Sequence, residues 1–239
     1  MKRRKDRILP KDKWKFDDAV ANCFDNMLER SIPQYEVMRK AVVDIACEFQ
    51  SDNTCIMDLG TSLGGSLSPL IEKFGNRNHY VGMEMSIPMI EKANRRFEKE
   101  VKEGYVIIKE HDLRKGVPQS PTCIAMSILT IQFTPIEYRP HIISSVFETL
   151  ISGGVFILVE KILGQTSHID KLMTKLYYNM KGKAGYSQKQ IERKRLSLEG
   201  VLVPVTAKWN EELLCWAGFK EVECFWRWMN FAGWVGIKR

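Results

Sequence analysis

Histidine is scarce in this 239-residue chain: there are four, and His79, His111, His141 and His168 share no metal-ligand spacing. The six cysteines (Cys23, Cys47, Cys55, Cys123, Cys215 and Cys224) include no C-x-x-C pair. That argues against a zinc site and against a dithiol redox motif, and the thiols are expected to be buried and reduced, as in a cytoplasmic protein. Long apolar runs are missing as well. The longest, around Val155 to Val159, is far too short to cross a bilayer. No apolar segment follows the basic N-terminus, so it does not read as a secretory signal. Internal repeats and low-complexity segments are also absent. With 44% hydrophobic residues, the chain has enough apolar material for a sizeable core.

Charge is present and unevenly placed. Of the formal net charge of +7, residues 1–15 carry +6 and residues 171–195 carry +7, which leaves about −6 on the remainder. Two basic segments on a slightly acidic body can attract nucleic acid or a polyanionic metabolite. Residues 1–15 hold little apolar material and read as a flexible arm; residues 16–239 are expected to form one domain.

Apolar periodicity predicts helices over 16–30 and 33–49, then a regular alternation of strands and helices. The strands fall at 54–59, 80–84, 105–110, 122–129 and 155–159, with helices over 66–74, 86–101 and 135–150 between them. Gly153-Gly154 is the expected stop of the last of these helices. The alternation then breaks into two basic helices over 168–200, a helix near 210–216, and a final strand pair at 221–228 and 231–238. The pattern predicts an α/β fold with a doubly wound, mostly parallel seven-stranded sheet and an antiparallel C-terminal edge.

The stretch Ile56-Met57-Asp58-Leu59-Gly60-Thr61-Ser62-Leu63-Gly64-Gly65 carries the most chemistry. An apolar strand ends in an acid and then a glycine-bearing turn, where backbone N–H groups can approach a ligand that a Cβ would block. The spacing meets neither the dinucleotide fingerprint nor the phosphate loop. Asp58, two residues before the first glycine, would repel a pyrophosphate and suits a cationic sulfonium. Twenty positions after Gly64, Glu84 ends the second strand, in place to accept hydrogen bonds from ribose hydroxyls. After the third strand comes Asp112, in place to accept from an adenine amino group. Together these point to S-adenosyl-L-methionine.

Other methyl-transfer devices are missing. No Asn-Pro-Pro-Tyr or Asp-Pro-Pro-Tyr follows the fourth strand, which disfavours methylation of an exocyclic base amine. Cys123 starts that strand and does not end it, so it reads as a core thiol. The late tryptophans, Trp209, Trp216, Trp226, Trp228 and Trp234, read as core or interface.

One ordered set of short motifs runs from Phe16 to the C-terminus: Phe16-Asp17-Asp18, Arg30-Ser31-Ile32-Pro33-Gln34-Tyr35, Asp58-Leu59-Gly60, Pro88-Met89-Ile90-Glu91, Leu129-Thr130-Ile131-Gln132-Phe133, Glu160-Lys161, Gly185-Tyr186-Ser187 and Lys194-Arg195. This set resembles the carboxy-S-adenosyl-L-methionine synthase family, which has a class I methyltransferase fold and acts in tRNA wobble-uridine modification. The resemblance implies that prephenate loses carbon dioxide, which the S-methyl carbon of S-adenosylmethionine captures as a sulfonium ylide, giving carboxy-S-adenosylmethionine and phenylpyruvate. It implies that Tyr35, Gly60, Thr61, Ser62, Glu84, Met85, Asp112 and Leu113 surround the ligand; by their place at the ends of the first and fourth strands, Asp58, Gly64 and Ile128 are expected in the same binding region. It also implies Arg195 as partner of the new carboxylate, in a homodimer where that arginine can come from the neighbouring subunit. The chain departs from the family at three places: Ile128 stands where the family has a ligand-contacting Asn, Thr61 where it has Cys, and Glu84-Met85 where it has Asp-Asn. Ile128 and the basic arm keep a second reading open, an S-adenosylmethionine-dependent methyltransferase acting on tRNA, other nucleic acid or a small molecule. A cofactor-binding regulator without chemistry is a third.

Overall fold

The computed structural model describes residues 5–239. Three helices, α1 (Asp18–Ala21), α2 (Phe24–Ser31) and α3 (Tyr35–Glu48), precede β1 (Cys55–Leu59). There follow α4 (Ser68–Phe74), β2 (His79–Glu84), α5 (Ile87–Arg96), α6 (Glu98–Lys102), β3 (Val106–Glu110), β4 (Thr122–Ile128), α7 (Arg139–Thr149) and β5 (Leu150–Leu163). The last third holds α8 (Ser167–Lys183), α9 (Gln188–Leu198), β6 (Val205–Thr206), α10 (Ala207–Ala217), β7 (Glu221–Trp228) and β8 (Phe231–Ile237). The strand order is β3-β2-β1-β4-β5-β8-β7, with β6 paired to β5. β1 to β5 run parallel, and β8 is antiparallel to both β5 and β7. The expected sheet is present with one strand more: β6, two residues long, is too short to leave a pattern in the sequence.

Strand parity sorts the side chains into two cores. Ile56, Tyr80, Ile124, Met126, Val155, Ile157 and Val159 pack with Met38, Val42 and Ala46 of α3, with Leu70, Ile71 and Phe74 of α4, and with Tyr177 of α8. The alternate residues Met57, Leu59, Met83, Ala125, Phe156 and Leu158 pack with Ile142, Ile143 and Val146 of α7 and with Leu213 and Leu214 of α10. Side-chain caps start several helices: Ser86 for α5, Thr166 for α8, a capping box of Ser187 and Gln190 for α9, and Thr206 for α10.

Several expectations change, among them the single helix over 86–101, which is divided into α5 and α6. The helix over 16–30 is broken at Asn22-Cys23, where the Cys23 thiol turns to the Ala19 carbonyl. β5 begins at Leu150, and the Gly153-Gly154 pair lies inside the strand. A Cβ on Gly154 would sit 2.9 Å from the Ile151 carbonyl oxygen, so that glycine serves close backbone packing as well as punctuation. The thiols are not uniformly buried: Cys23, Cys55 and Cys123 are, while Cys47 and Cys224 are half-buried and Cys215 is exposed. Trp234 is fully buried, whereas Trp216 is among the most exposed apolar side chains.

Residues 1–4 of the expected arm lie outside the described residues. Residues 5–15 hold no helix or strand, but they are anchored. Asp6 is buried and pairs with the buried Lys194 ammonium. It also accepts the Tyr186 hydroxyl, and its backbone N–H donates to Asn26 Oδ1 at 2.9 Å. Trp14 and Phe16 join a third apolar cluster with Val20, Phe24 and Met27. Burial alone would raise the Asp6 carboxyl, yet Lys194 and the Tyr186 hydroxyl hold it below its ordinary value. Removing one partner of a buried ion pair strands the other charge. Asp6→Asn is therefore expected to cost about 3–5 kcal/mol, read from urea unfolding midpoints; a loss below about 1 kcal/mol would mean the pair behaves as an exposed one.

Candidate functional site

The sequence runs outward from β1 to β3 on one side, then returns to β4 and β5 on the other. At that reversal the carboxyl ends of β1 and β4 diverge, which is where open α/β sheets bind ligands. A cleft of about 490 Å³ opens there.

The turn after β1 forms one wall. Gly60 takes a φ of +77°, and a Cβ there would lie 2.3 Å from the Thr130 side chain. The N–H groups of Gly60 and Thr61 both donate to the Met83 carbonyl, at 2.8 and 2.9 Å. Ser62, also in the left-handed region, donates its N–H to Glu84 Oε2 at 3.0 Å. Glu84 Oε1 accepts the N–H groups of Met85 and Ser86 at 2.8 and 3.0 Å. Three backbone donors thus fix this carboxylate, and its remaining lone pairs can accept the two vicinal hydroxyls of a ribose. Asp112 follows β3. Arg114 grips it through Nε and Nη2, and its carboxylate keeps acceptor capacity toward the cleft. His111 also lines the cleft, with Nε2 2.7 Å from the Gly116 carbonyl.

Of the residues expected around a ligand, Tyr35, Gly60, Thr61, Ser62, Glu84, Met85, Asp112, Leu113 and Ile128 line the cleft. Three do not. Asp58 is buried beneath the turn; burial raises its carboxyl to about 6, with the Arg39 charge pulling the other way. Its Oδ2 has no hydrogen-bond partner, nor has the buried Thr61 hydroxyl above it. Gly64 turns to the back of the loop, where a Cβ would meet the Phe97 ring at 2.2 Å. Arg195 lies on the outer face of α9, bound to Glu192 at 2.8 Å and to Glu199. In the helix, Arg195 sits about 100° round from Lys194, and Lys194 is the one that faces the cleft.

The structure adds cations that sequence reasoning did not assign to the site: Lys161, Lys181 and Lys194 line the cleft, with Arg39 nearer the turn. Parity explains Lys161, which shares the face of Val155, Ile157 and Val159, whereas Glu160 points to the α7 side. A cation ending an apolar strand on the ligand side was the available signal. Lys181 and Lys194 come from α8 and α9, and nothing local marks them.

Glu160 supports the cleft floor from behind. Its Oε1 accepts the Ile131 N–H at 3.1 Å, while Gln132 bridges Leu129 and Lys161 through its side-chain amide. The buried Arg139 ties the same segment to Val203 at 2.7 Å. Leu129 there has a φ of +62°, a costly conformation for leucine held by these bonds.

The fold superposes on solved S-adenosylmethionine-dependent methyltransferases. A Haemonchus contortus phosphoethanolamine N-methyltransferase 2, in complex with S-adenosylhomocysteine, superposes with a TM-score of 0.64 at 13% identity, over 92% of this chain and 58% of that one. Human N-acetylserotonin methyltransferase, in complex with S-adenosylmethionine, gives 0.60 at 13% identity, over 92% and 55%. The chain spans less than two thirds of either, and at this identity the likeness defines the fold. No protein-family model matches the chain. Full-length relatives are more specific. The carboxy-S-adenosyl-L-methionine synthase of Methylococcus capsulatus is 36% identical over 228 residues, 95% of this chain and 94% of the relative. Those of Nautilia profundicola and Staphylococcus epidermidis are 36% and 32% identical, over 94% of this chain and 94% and 97% of the relatives. The chain belongs to the carboxy-S-adenosyl-L-methionine synthase family.

Burial raises the Glu160 carboxyl to about 8, although the Arg139 charge and the backbone donors favour its ionised form. An acid raised in the folded state holds its proton while the unfolded chain has lost it, so stability falls as pH rises from about 4.5 to about 8. Glu160→Gln keeps the acceptor without the charge. Its unfolding free energy relative to wild type is expected to rise between pH 6.5 and 8.5, by an amount on the order of 1–3 kcal/mol. A difference that stays flat over that range would mean the carboxyl is already ionised in the folded protein.

Proposed function

We propose that this chain synthesises carboxy-S-adenosylmethionine from S-adenosylmethionine and prephenate, releasing phenylpyruvate, in the cytoplasm and for tRNA wobble-uridine modification. The observation that carries the reading is the charge layout of one cleft. Carboxylates stand at the ends of β2 and β3, and lysines stand at β5, α8 and α9, in a chain of this family. Three strand spacings separate β2 from β5, roughly 14 Å, so an adenosyl sulfonium and an acidic second substrate can lie side by side.

S-adenosylmethionine supplies the methyl carbon that gains the carboxyl group. The reaction balances with water as third product: the ring carboxylate leaves as carbon dioxide, the ring hydroxyl departs with a methyl proton, and one carbon–carbon bond forms. The chain's own part is positioning and charge. Glu84 and Asp112 hold the ribose and adenine, the turn at Gly60-Thr61-Ser62 presents backbone toward the ligand, and Tyr35, Met85, Leu113 and Ile128 shape its pocket. Arg195 serves the new carboxylate from the neighbouring subunit of a homodimer, which fits its place on the outer face of α9. The basic stretches meet RNA.

Mass spectrometry of the nucleoside product after incubation with both substrates is the direct test. A species heavier than S-adenosylmethionine by one carbon dioxide is expected. Unmodified S-adenosylmethionine alone would favour the methyl-transfer reading instead, for which Ile128 in the cleft lining is the supporting observation. Arg195→Ala is expected to keep S-adenosylhomocysteine affinity and lose the carboxylated product; product at the wild-type rate would remove Arg195 from the mechanism. Glu84→Ala is expected to weaken S-adenosylhomocysteine binding ten- to a hundredfold, since charge-assisted hydrogen bonds contribute about 1.5–3 kcal/mol. Unchanged calorimetric affinity would exclude a ribose contact.

A further inference from the structure

Lys161 and Lys181 approach one aromatic ring. Their ammonium nitrogens lie 5.2 and 5.5 Å from the centroid of the buried Tyr177, and Lys181 is also 5.0 Å from Tyr186. Both side chains line the cleft. Asp6 acts on Lys181 and is itself ion-paired with Lys194. Asp170 acts on Lys161 from α8, while its Oδ1 is engaged by the Gly164 N–H at 2.9 Å. Arg30, stacked over Tyr186 at 4.0 Å, adds another positive charge. Aromatic faces offset part of the lost hydration of an ammonium, but they do not neutralise it.

Lys181 stands among other cations as well as being buried. Burial, with Lys194 and Lys161 as neighbours, lowers Lys181 to about 7, and burial lowers Lys161 as well. Two half-compensated ammoniums in a substrate-sized cleft are stabilised by an anion that arrives with the ligand.

Decarboxylation narrows which anion that is. A carboxylate about to leave as neutral carbon dioxide loses its charge in the transition state, so a cation bound to it stabilises the ground state more and slows the step. Cations are best placed on a carboxylate that survives. Resting on the reading above, we propose that Lys161 and Lys181 form the subsite for the carboxylate that the second substrate retains, and so select a donor carrying two carboxylates. The departing carboxylate is left to the apolar part of the cleft around Phe133 and Phe16. The formed carboxylate belongs to Arg195.

The test uses full-length protein with Lys161→Met, Lys181→Met and the charge-keeping Lys181→Arg. Phenylpyruvate carries only the retained carboxylate, so its titration into S-adenosylhomocysteine-loaded protein isolates the subsite from turnover. Each methionine variant is expected to bind phenylpyruvate at least tenfold more weakly than wild type. KM for prephenate should rise by a similar factor, kcat should change less than threefold, and S-adenosylhomocysteine affinity should stay within twofold, which also reports that the variants are folded. Lys181→Arg is expected to recover most of the lost affinity. Wild-type affinity for phenylpyruvate in both methionine variants overturns the subsite. Weakened S-adenosylhomocysteine binding with phenylpyruvate unaffected overturns it too, by assigning the lysines to the methionyl carboxylate. If wild type makes no carboxylated product, the synthase reading fails, and the phenylpyruvate titration still decides the subsite.

Discussion

Two backbone N–H groups on one carbonyl organise this molecule. At the end of β1 the chain must leave the sheet while its amides still need acceptors. Gly60 and Thr61 both find the Met83 carbonyl on β2, and Ser62 then finds the Glu84 carboxylate. That path requires a left-handed residue at Gly60, and Thr130 occupies the space a side chain would need. Once the turn is tied to β2, Glu84 is aimed, the mouth between β1 and β4 is held open, and α4 starts from a fixed point. Fold and site are one constraint seen from two sides.

The second organising term is buried charge. The cleft combines carboxylates near β2 and β3 with ammoniums near β5, α8 and α9, and the protein neutralises only part of the positive side. Asp6 does so from 188 residues away in sequence, against Lys194, with Tyr186 as a shared partner. The strongly basic N-terminal stretch is therefore held by its one buried acid, while its lysines and arginines give it its basic character. Because Trp14 and Phe16 line the same cleft, releasing Asp6 would loosen the pocket wall as well as the tail.

What could be read from the sequence was whatever local spacing encodes. The apolar runs of β1, β4 and β5, buried on both faces, the glycine turn, and the acids ending β2 and following β3 all depend on neighbours a few residues away. The misses share a different origin. β5 outran its expected start because Gly153-Gly154 breaks a helix but also packs closely in a strand, and only the surrounding backbone decides which. Gly64 faces Phe97 instead of the cleft, a choice made by the packing of α5. Anchoring of residues 5–15 and the inward turn of Lys181 and Lys194 depend on partners far away in sequence.

Ile128 is where these threads meet. It ends β4 and lines the cleft, at the position where the family resemblance leads one to expect an amide. Its neighbour Leu129 holds a left-handed backbone, secured by the 2.7 Å bond of its N–H to Val159 and by the Glu160–Gln132 bracket behind it. The strand end is thus kept rigid by backbone and buried polar groups, independent of what the side chain at 128 offers. An amide there would hydrogen-bond a polar ligand group, and an isoleucine instead lowers the local polarity of the cleft. For a step in which charge is lost as carbon dioxide and an apolar gas-like molecule must linger to be captured, a drier wall costs little. Under the proposed reading the charge for an acidic substrate comes instead from lysines such as Lys161, two residues beyond Val159, the β5 neighbour of Ile128.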